Sequence, residues 1–203
     1  MKKNTKWLPI VLIVIMVVAI SSIAIATDNH LGIYYDKTRL TTYIPHGSIG
    51  TQTKMDMNDA LYQWNYNSGY MLMRREPSIT HITNDYPKPE GQNKVYKLYL
   101  GNSFAPGENT MRFEVRVTGN TYYYVVVESD IVFNASRPFT NTPMPHYYDV
   151  WTIFIHEAGH TLGLAHPSNS SSVNSSVMHV LSAGNSRRFL SNSDKAMMLT
   201  RLK

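Results

Sequence analysis

A pair of histidines with a glutamate between them offers the clearest chemistry in this sequence. His156 and His160 lie in a predicted helix, where a spacing of four residues, at about 100° each, returns to the same face. Their imidazoles can therefore converge on one zinc ion. Glu157 points about 100° around the helix, beside that ion, where a carboxylate can take a proton from a zinc-activated water. This spacing suits a base better than a ligand.

Gly163 and His166 extend the pair into a full site. A helix continued through residue 163 would carry later side chains away from the ion, whereas a glycine can adopt φ > 0 and end the helix in a left-handed cap. The chain can then turn back so that His166 supplies a third nitrogen. Three histidines leave the fourth position of a tetrahedral zinc open for water, which is the arrangement of a catalytic site. Chance would produce the five fixed positions with a probability of about 10⁻⁵.

Two blander interpretations compete with a catalytic site. A buried core helix would explain the apolar residues of this stretch, but it has no use for three converging histidines. A zinc site without chemistry is the second interpretation. Glu157 argues against it, because a carboxylate at that position has no evident structural purpose.

Composition predicts one compact, exported domain. The chain has 203 residues, of which 43% are hydrophobic and 16% are charged, so a real core can form. Cysteine is absent, so any metal must be held by histidine, aspartate or glutamate. An exported protein without disulfides folds on packing and metal alone, which favours a bacterial source.

Residues 1–26 have the order of a secretory signal. Lysines 2, 3 and 6 precede an uncharged run that ends Ala24-Ile25-Ala26, so cleavage after Ala26 would leave a domain of residues 27–203. The run is also close to the roughly 20 residues that span a bilayer, and an uncleaved N-terminal anchor is the alternative. Only that alternative involves a membrane. Either way, the remaining domain is expected outside the cell.

The net charge of +5 derives largely from this leader. Without it, 16 basic residues face 14 acidic ones, which leaves a net charge of +2. We therefore expect no nucleic-acid surface.

Upstream of the histidines, the pattern predicts one helix and several strands. Residues 40–44 alternate as a first strand, and residues 51–67 carry apolar side chains at helical spacing before a stop at Gly69. The helical stripe of Met57, Ala60, Leu61 and Trp64 is read as core, with a ligand groove as the alternative. Gly119-Asn120 is typical of a hairpin turn. Strand signals cover Tyr70–Arg74, Ser78–Thr83, Val95–Leu100, Met111–Val117 and Tyr122–Phe133.

The remaining segments are loops around the motif. Residues 134–148 read as a proline-rich loop, and Asp149 suits the positive start of the following helix. Residues 167–176 read as a surface loop, and Ser191–Asp194 as the capped start of a last helix. His146 is a weaker candidate for a metal or substrate contact. The other histidines, His30, His46 and His81, lack partners at ligand spacing and are expected to be ordinary surface or strand residues.

The sequence resembles the matrixins, a group of metzincin zinc endopeptidases that includes matrix metalloproteases and small bacterial relatives. The stretch 156–166 is close to the matrixin zinc motif, and Ser176-Val177-Met178 is similar to the family's Met-turn. Residues 129–134 resemble its last strand and Leu190–Asp194 the opening of its last helix. The resemblance implies an α+β fold: a twisted mixed sheet with a backing helix, a zinc-site helix, and a small C-terminal subdomain with the Met-turn and a terminal helix.

By this resemblance, His156, His160 and His166 bind one catalytic Zn²⁺, Glu157 is the general base, and Met178 forms an apolar floor without coordinating the ion. Gly163 supports the site by turning the chain. A protein or peptide substrate would lie extended along an edge strand, which we assign to the hairpin of residues 111–127. The resemblance allows structural Ca²⁺, but no carboxylate-rich loop identifies a site for it.

The chain departs from the matrixin pattern in three places. No proline follows Met178 closely, since the next residues are His179-Val180-Leu181. The pair Met178-His179 is similar to the pair found in astacins. However, Val180 stands where astacins have a zinc-binding tyrosine, and Pro167 stands where they have a glutamate after the third histidine. The absence of cysteine rules out latency through a propeptide thiolate.

Together these observations predict an exported, monomeric zinc endopeptidase. Its upper part would run to about residue 163 and its lower part from 164 to 203. The alternative is a zinc-binding, catalytically silent extracellular interaction protein of the same fold.

Overall fold

The computed structural model describes residues 33–78, 87, 90–167 and 175–203. The predicted leader, His30, His81, most of the strand predicted over 78–83 and most of the predicted loop at 167–176 lie outside these residues. The described elements follow in this order: β1 Ile33–Tyr34, β2 Thr41–Pro45, α1 Thr51–Ser68, β3 Met73–Arg75, β4 Asn93–Leu98, β5 Gly107–Thr118, β6 Thr121–Asn134, β7 Phe139–Thr140, β8 Tyr148–Asp149, α2 Val150–Thr161 and α3 Asn192–Arg201.

A mixed six-stranded sheet forms the centre of the fold. Five strands run parallel in the order β1-β6-β4-β2-β3, in which β1 and β4 pair with different parts of β6. Strand β5 pairs antiparallel with β6 along almost its whole length. Within the described residues β5 pairs with β6 alone, so it lies at an edge, as the sequence predicted for this hairpin. The α+β class with a mixed sheet is confirmed.

The β5–β6 hairpin turns at the predicted position. Gly119 has φ 59°, and Thr118 pairs with Thr121 across the turn. A register shift at Arg112/Phe113 interrupts the ladder below the tip. The tip of the hairpin is exposed, whereas Gly107, the first residue of β5, is buried next to Ile153 and Glu157 of α2.

Helix α1 backs the sheet and supports α2. Its predicted stripe, Met57, Ala60, Leu61 and Trp64, is buried in the core, which excludes the ligand-groove interpretation. The indole N–H of Trp64 donates to the carbonyl of Ile155 at 3.0 Å. This bond fixes the middle of α2 against α1.

Three local expectations were wrong. The strand predicted from Tyr70 begins at Met73, because the Asn65 side chain accepts the backbone N–H groups of Leu72 and Met73 and holds the preceding residues in a turn. The predicted loop at 134–148 contains β7, which pairs with β8. His46 is buried at 5% exposure instead of lying on the surface, and its backbone N–H donates to the carbonyl of Val95, which continues the β2–β4 ladder.

Helix α3 closes the fold at the C-terminus. Ser191 and Asp194 form the predicted capping box at its start. At its end, the backbone of Tyr35 bonds to Arg201 and Lys203, which ties α3 to the chain after β1. No helix within residues 33–78, 90–167 and 175–203 has both the length and the apolar character needed to cross a bilayer.

Candidate metal centre

The start of α2 is fixed by a buried carboxylate. Asp149 accepts the backbone N–H of Thr152 at 3.2 Å and the hydroxyl of Thr152 at 2.6 Å, as its predicted position at the helix start requires. Arg188 donates to the other oxygen of Asp149 at 2.6 Å. The helix that carries the motif is therefore anchored before its first turn.

The end of α2 is a glycine turn. Gly163 has φ 82°, its N–H donates to the carbonyl of His160 at 2.8 Å, and the N–H of Leu164 donates to that of Gly159 at 3.2 Å. This pair of bonds is a Schellman motif. A Cβ on residue 163 would lie 2.5 Å from the carbonyl oxygen of Ile33. Both the backbone angle and the neighbouring strand therefore require glycine here.

The turn brings three histidines together. The Nε2 atom of His156 lies 3.1 Å from that of His160 and 3.0 Å from that of His166, and the potential ligand atoms of the three residues lie within 4.8 Å of one another. Across the described ranges, this is the one group of three or more potential His, Asp or Glu ligands close enough to hold an ion. His146 lies exposed on the loop before α2, outside this cluster.

Hydrogen bonds to backbone carbonyls fix the protonation of two imidazoles. The Nδ1 atom of His156 lies 2.8 Å from the carbonyl oxygen of Val177, and that of His160 lies 2.8 Å from the carbonyl oxygen of Leu164. A carbonyl only accepts, so each Nδ1 carries the proton. Burial lowers the pKa of His156 well below its usual value and that of His160 to about 4, so both rings are neutral near pH 7. Each Nε2 then presents a lone pair.

The arrangement fits a zinc ion. Two lone pairs that face each other at 3.1 Å repel, so a cation between them is the natural partner. Tetrahedral zinc with Zn–N bonds of 2.0–2.1 Å places its nitrogens about 3.3 Å apart, close to these separations. Burial also lowers the pKa of His166, which keeps the third imidazole neutral.

Glu157 lies in a dry position beside the edge strand. Its side chain is buried, and burial, with a smaller effect from the charge of Glu108, raises the pKa of Glu157 to about 8. A Cβ on Gly107 would lie 2.8 Å from its Oε1 atom, so the start of β5 passes directly against the carboxylate. A cation held by the histidines would favour the ionised carboxylate.

The underside of α2 rests on Met178. Met178 is completely buried, and a Cβ on Gly159 would overlap its sulfur atom. The segment before Met178 is held by Asp194, which accepts the hydroxyl of Ser176 and the backbone N–H of Val177. The start of α3 thus positions the carbonyl that orients His156. Met178 therefore packs against the helix that carries the histidine motif.

Sequence reasoning missed three residues that shape the centre. Gly159 makes room for Met178, Gly107 makes room for Glu157, and Asn109 bonds to the backbone of Glu157. Gly159 could have been noticed as a glycine inside a helix, which is costly without a packing reason. For the other two, the local sequence carried no signal, because their partners lie about 50 positions away.

One comparison with known proteins identified a family. A family model described as Matrixin matches residues 41–200, which runs from the first residue of β2 into α3 and includes the histidine cluster and Glu157. A search of curated proteins found no match.

Proposed function

The chain belongs to the matrixin family, and from that premise we propose that it is an exported zinc-dependent endopeptidase. Family membership supports a zinc metalloprotease that acts on peptides. The observation that carries the proposal for this chain is the convergence of His156, His160 and His166 at the end of the helix that also carries the buried Glu157.

We assign the metal-holding role to His156, His160 and His166 through their Nε2 atoms. Zinc, when bound, supplies Lewis acidity, which lowers the pKa of a water to about 7 and polarises a carbonyl group. The carbonyls of Val177 and Leu164 hold two of the rings in the tautomer and orientation that this role needs. Gly163 and Met178 support the site from the turn and from below.

Glu157 is the proton carrier in this proposal. Its carboxylate accepts a proton from the water that attacks the peptide carbonyl and returns the proton to the departing amine. Burial supports this role, because solvent competes little for the proton of a buried carboxylate, and a cation held by the histidines would favour its ionised form.

A substrate would bind as an added strand. Within the described residues, β5 pairs with β6 on one side and with no strand on the other. An extended peptide can pair with such an edge through its backbone. Because Gly107 at the start of β5 lies against Glu157, a peptide on this edge would pass the carboxylate.

The variant Glu157→Gln tests the function. We expect the purified wild-type chain to contain one zinc and to cleave a mixed peptide library in a chelator-sensitive way, while Glu157→Gln keeps its zinc and loses cleavage. Mass spectrometry of the library and metal analysis measure the two properties. Cleavage by Glu157→Gln at the wild-type rate would remove Glu157 from the mechanism. A wild type that binds zinc but cuts nothing would instead support the silent interaction protein.

We further propose that the chain is exported through residues 1–26, by the leader pattern in the sequence. N-terminal sequencing of material released from cells checks this. A mature start at Thr27 supports a cleaved signal, and an intact N-terminus in the membrane fraction supports the anchor.

A further inference from the structure

Asn109 on β5 contacts α2 at the backbone of the proposed catalytic residue. Its amide nitrogen Nδ2 donates to the carbonyl oxygen of Glu157 at 2.5 Å and to the hydroxyl oxygen of Thr161 at 2.9 Å. The carbonyl of Glu157 can only accept, so this orientation of the amide is the one that satisfies it. Asn109 thus bonds the edge strand to α2 at the backbone of Glu157 and at the side chain of Thr161.

A buried network holds the Asn109 side chain from behind. Its oxygen Oδ1 accepts the hydroxyl of Ser129 at 3.1 Å, the hydroxyls of Ser129 and Thr161 lie 2.8 Å apart, and the hydroxyl of Tyr43 lies 2.6 Å from that of Thr161. Burial raises the pKa of Tyr43, so its hydroxyl stays protonated and can donate to Thr161. Each hydroxyl can then donate to the next group: Tyr43 to Thr161, Thr161 to Ser129, and Ser129 to the Oδ1 atom of Asn109.

This network joins three strands to the motif helix at a fixed place. Tyr43 belongs to β2, Ser129 to β6 and Asn109 to β5. Each of these three side chains bonds to the hydroxyl of Thr161 in α2. Tyr43, Ser129 and Thr161 are fully buried, so these bonds form without competition from water.

Asn109 also sets where β5 passes the Glu157 carboxylate. Residues 107 and 109 lie on the same face of the strand, because side chains alternate. A Cβ on Gly107 would lie 2.8 Å from the Oε1 atom of Glu157, so a small movement of β5 toward α2 would displace the carboxylate, and a movement away would open a gap.

We propose that Asn109 is a positioning residue for peptide cleavage: its amide holds β5 at a fixed distance from Glu157, and thereby holds a peptide paired with β5 in register with the Glu157 carboxylate. The inference rests on the proposed function. A misplacement of about 1 Å between reacting groups can cost about 100-fold in rate. Loss of the bond between Asn109 and Glu157 should therefore lower kcat more than it raises KM.

Asn65 provides a matched control. Its side chain makes the same kind of link between a helix and a strand, since its Nδ2 atom donates to the carbonyl of Met73 at 2.7 Å and its oxygen accepts the N–H of Leu72 at 2.9 Å. It connects α1 to β3 and takes no part in the histidine cluster. Asn65→Ala should lower stability without changing turnover per zinc.

The test compares Asn109→Ala with Asn65→Ala. For Asn109→Ala we expect an unchanged zinc content, a fall in kcat of at least about tenfold and a KM within about twofold of wild type. Thr161→Val should repeat the fall in kcat, because it removes the hydroxyl and keeps the shape, while Thr161→Ser should restore most of it. A kcat for Asn109→Ala equal to that of Asn65→Ala, with a similar loss of Tm in both, would reduce Asn109 to a structural residue and overturn the proposal.

Hydrogen exchange gives a readout that does not need activity. In Asn109→Ala, we expect faster exchange of the amides of residues 107–111 and 157–161, with exchange in α1 unchanged. Unaltered exchange at 107–111 would also overturn the proposal, since β5 would then hold its place without Asn109. A wild-type chain that cuts no peptide defeats the proposed function, and the inference with it. A wild-type chain that cleaves, beside a fully active Asn109→Ala, defeats only the inference.

Discussion

Two helices of this protein end at a glycine in the left-handed conformation, yet only one of these ends builds a site. Gly69 after α1 has φ 75° and Gly163 after α2 has φ 82°. A Cβ on Gly69 would meet no atom within 4 Å, whereas a Cβ on Gly163 would lie 2.5 Å from the carbonyl oxygen of Ile33. The same local turn becomes part of the candidate metal centre where a second segment packs against it and holds the returning chain in one place.

The segments that leave the two turns differ as well. After Gly69 the chain enters β3, and its position depends on the Asn65 side chain. After Gly163 the carbonyl of Leu164 orients His160, and His166 completes the cluster three residues beyond the glycine. The second turn thus supplies both a proposed ligand, His166, and the carbonyl partner of another, His160, within three residues.

Removal of the residue that the second turn delivers should have the largest effect. In His166→Ala, two imidazoles remain, and we expect zinc affinity to fall by more than about 100-fold. This exceeds the loss expected when only a residue that hydrogen-bonds a metal ligand is removed. Competition with a chromophoric chelator measures it. His146→Ala, in an exposed residue outside the cluster, is the control and should bind as wild type. A full zinc content in His166→Ala under competition would exclude His166 as a ligand.

The glycines themselves provide the next comparison. Left-handed backbone costs a residue with a Cβ about 1 kcal/mol, so Gly69→Ala should lower the free energy of unfolding by about that amount. Gly163→Ala should lower it by more than about 2 kcal/mol, because overlap with Ile33 adds to the backbone cost. Urea unfolding of the metal-free variants measures both. Equal losses would show that the contact with Ile33 has no energetic weight.

Low pH should destabilise the end of α2 before it affects α1. The folded pKa values of His156, His160 and His166 lie below their usual value, and that of His160 is about 4, so these three side chains bind more protons in the unfolded chain than in the folded one between about pH 6.5 and pH 4. The contribution of these histidines to the stability of metal-free protein is therefore full above about pH 6.5 and falls as the pH falls through this window. Hydrogen exchange at several pH values checks this prediction. We expect protection of α2 to fall first, since α1 contains no histidine. Earlier loss in α1 would contradict it.

The starts of the two helices should give the smallest effect. Gly50 precedes α1 with extended backbone angles and no side-chain cap, whereas Asp149 caps α2. A Cβ on Gly50 has open space, so Gly50→Ser should add a few tenths of a kcal/mol by accepting an N–H of the first turn. Thermal unfolding measures the gain. A loss of stability would mean that another contact fixes this end.

The sequence predicted the parts of the centre that depend on local spacing. The separations of His156, Glu157, His160, Gly163 and His166 act within about three helical turns, so helix geometry and glycine's freedom were enough to foresee the cluster. The hairpin turn at Gly119 and the capping box at Ser191 are local in the same sense. Each was placed at or within a residue or two of its position.

The parts that could not be predicted depend on partners distant in sequence. The carbonyl that orients His156 comes from Val177, 21 positions later, and the bond from Asn109 to Glu157 spans 48 positions. No pattern within a strand or a helix encodes such a pairing, because it arises only when the sheet and helices pack. The backbone bond from His46 to Val95, 49 positions later, is another such pairing.

The most direct test of the account is a crystal structure of the zinc-loaded protein with anomalous data at the zinc edge. We expect one zinc bonded to the Nε2 atoms of His156, His160 and His166 at about 2.0–2.1 Å, with the Glu157 carboxylate beside it. A zinc bonded to only two of these histidines, with the His166 imidazole turned away, would contradict it.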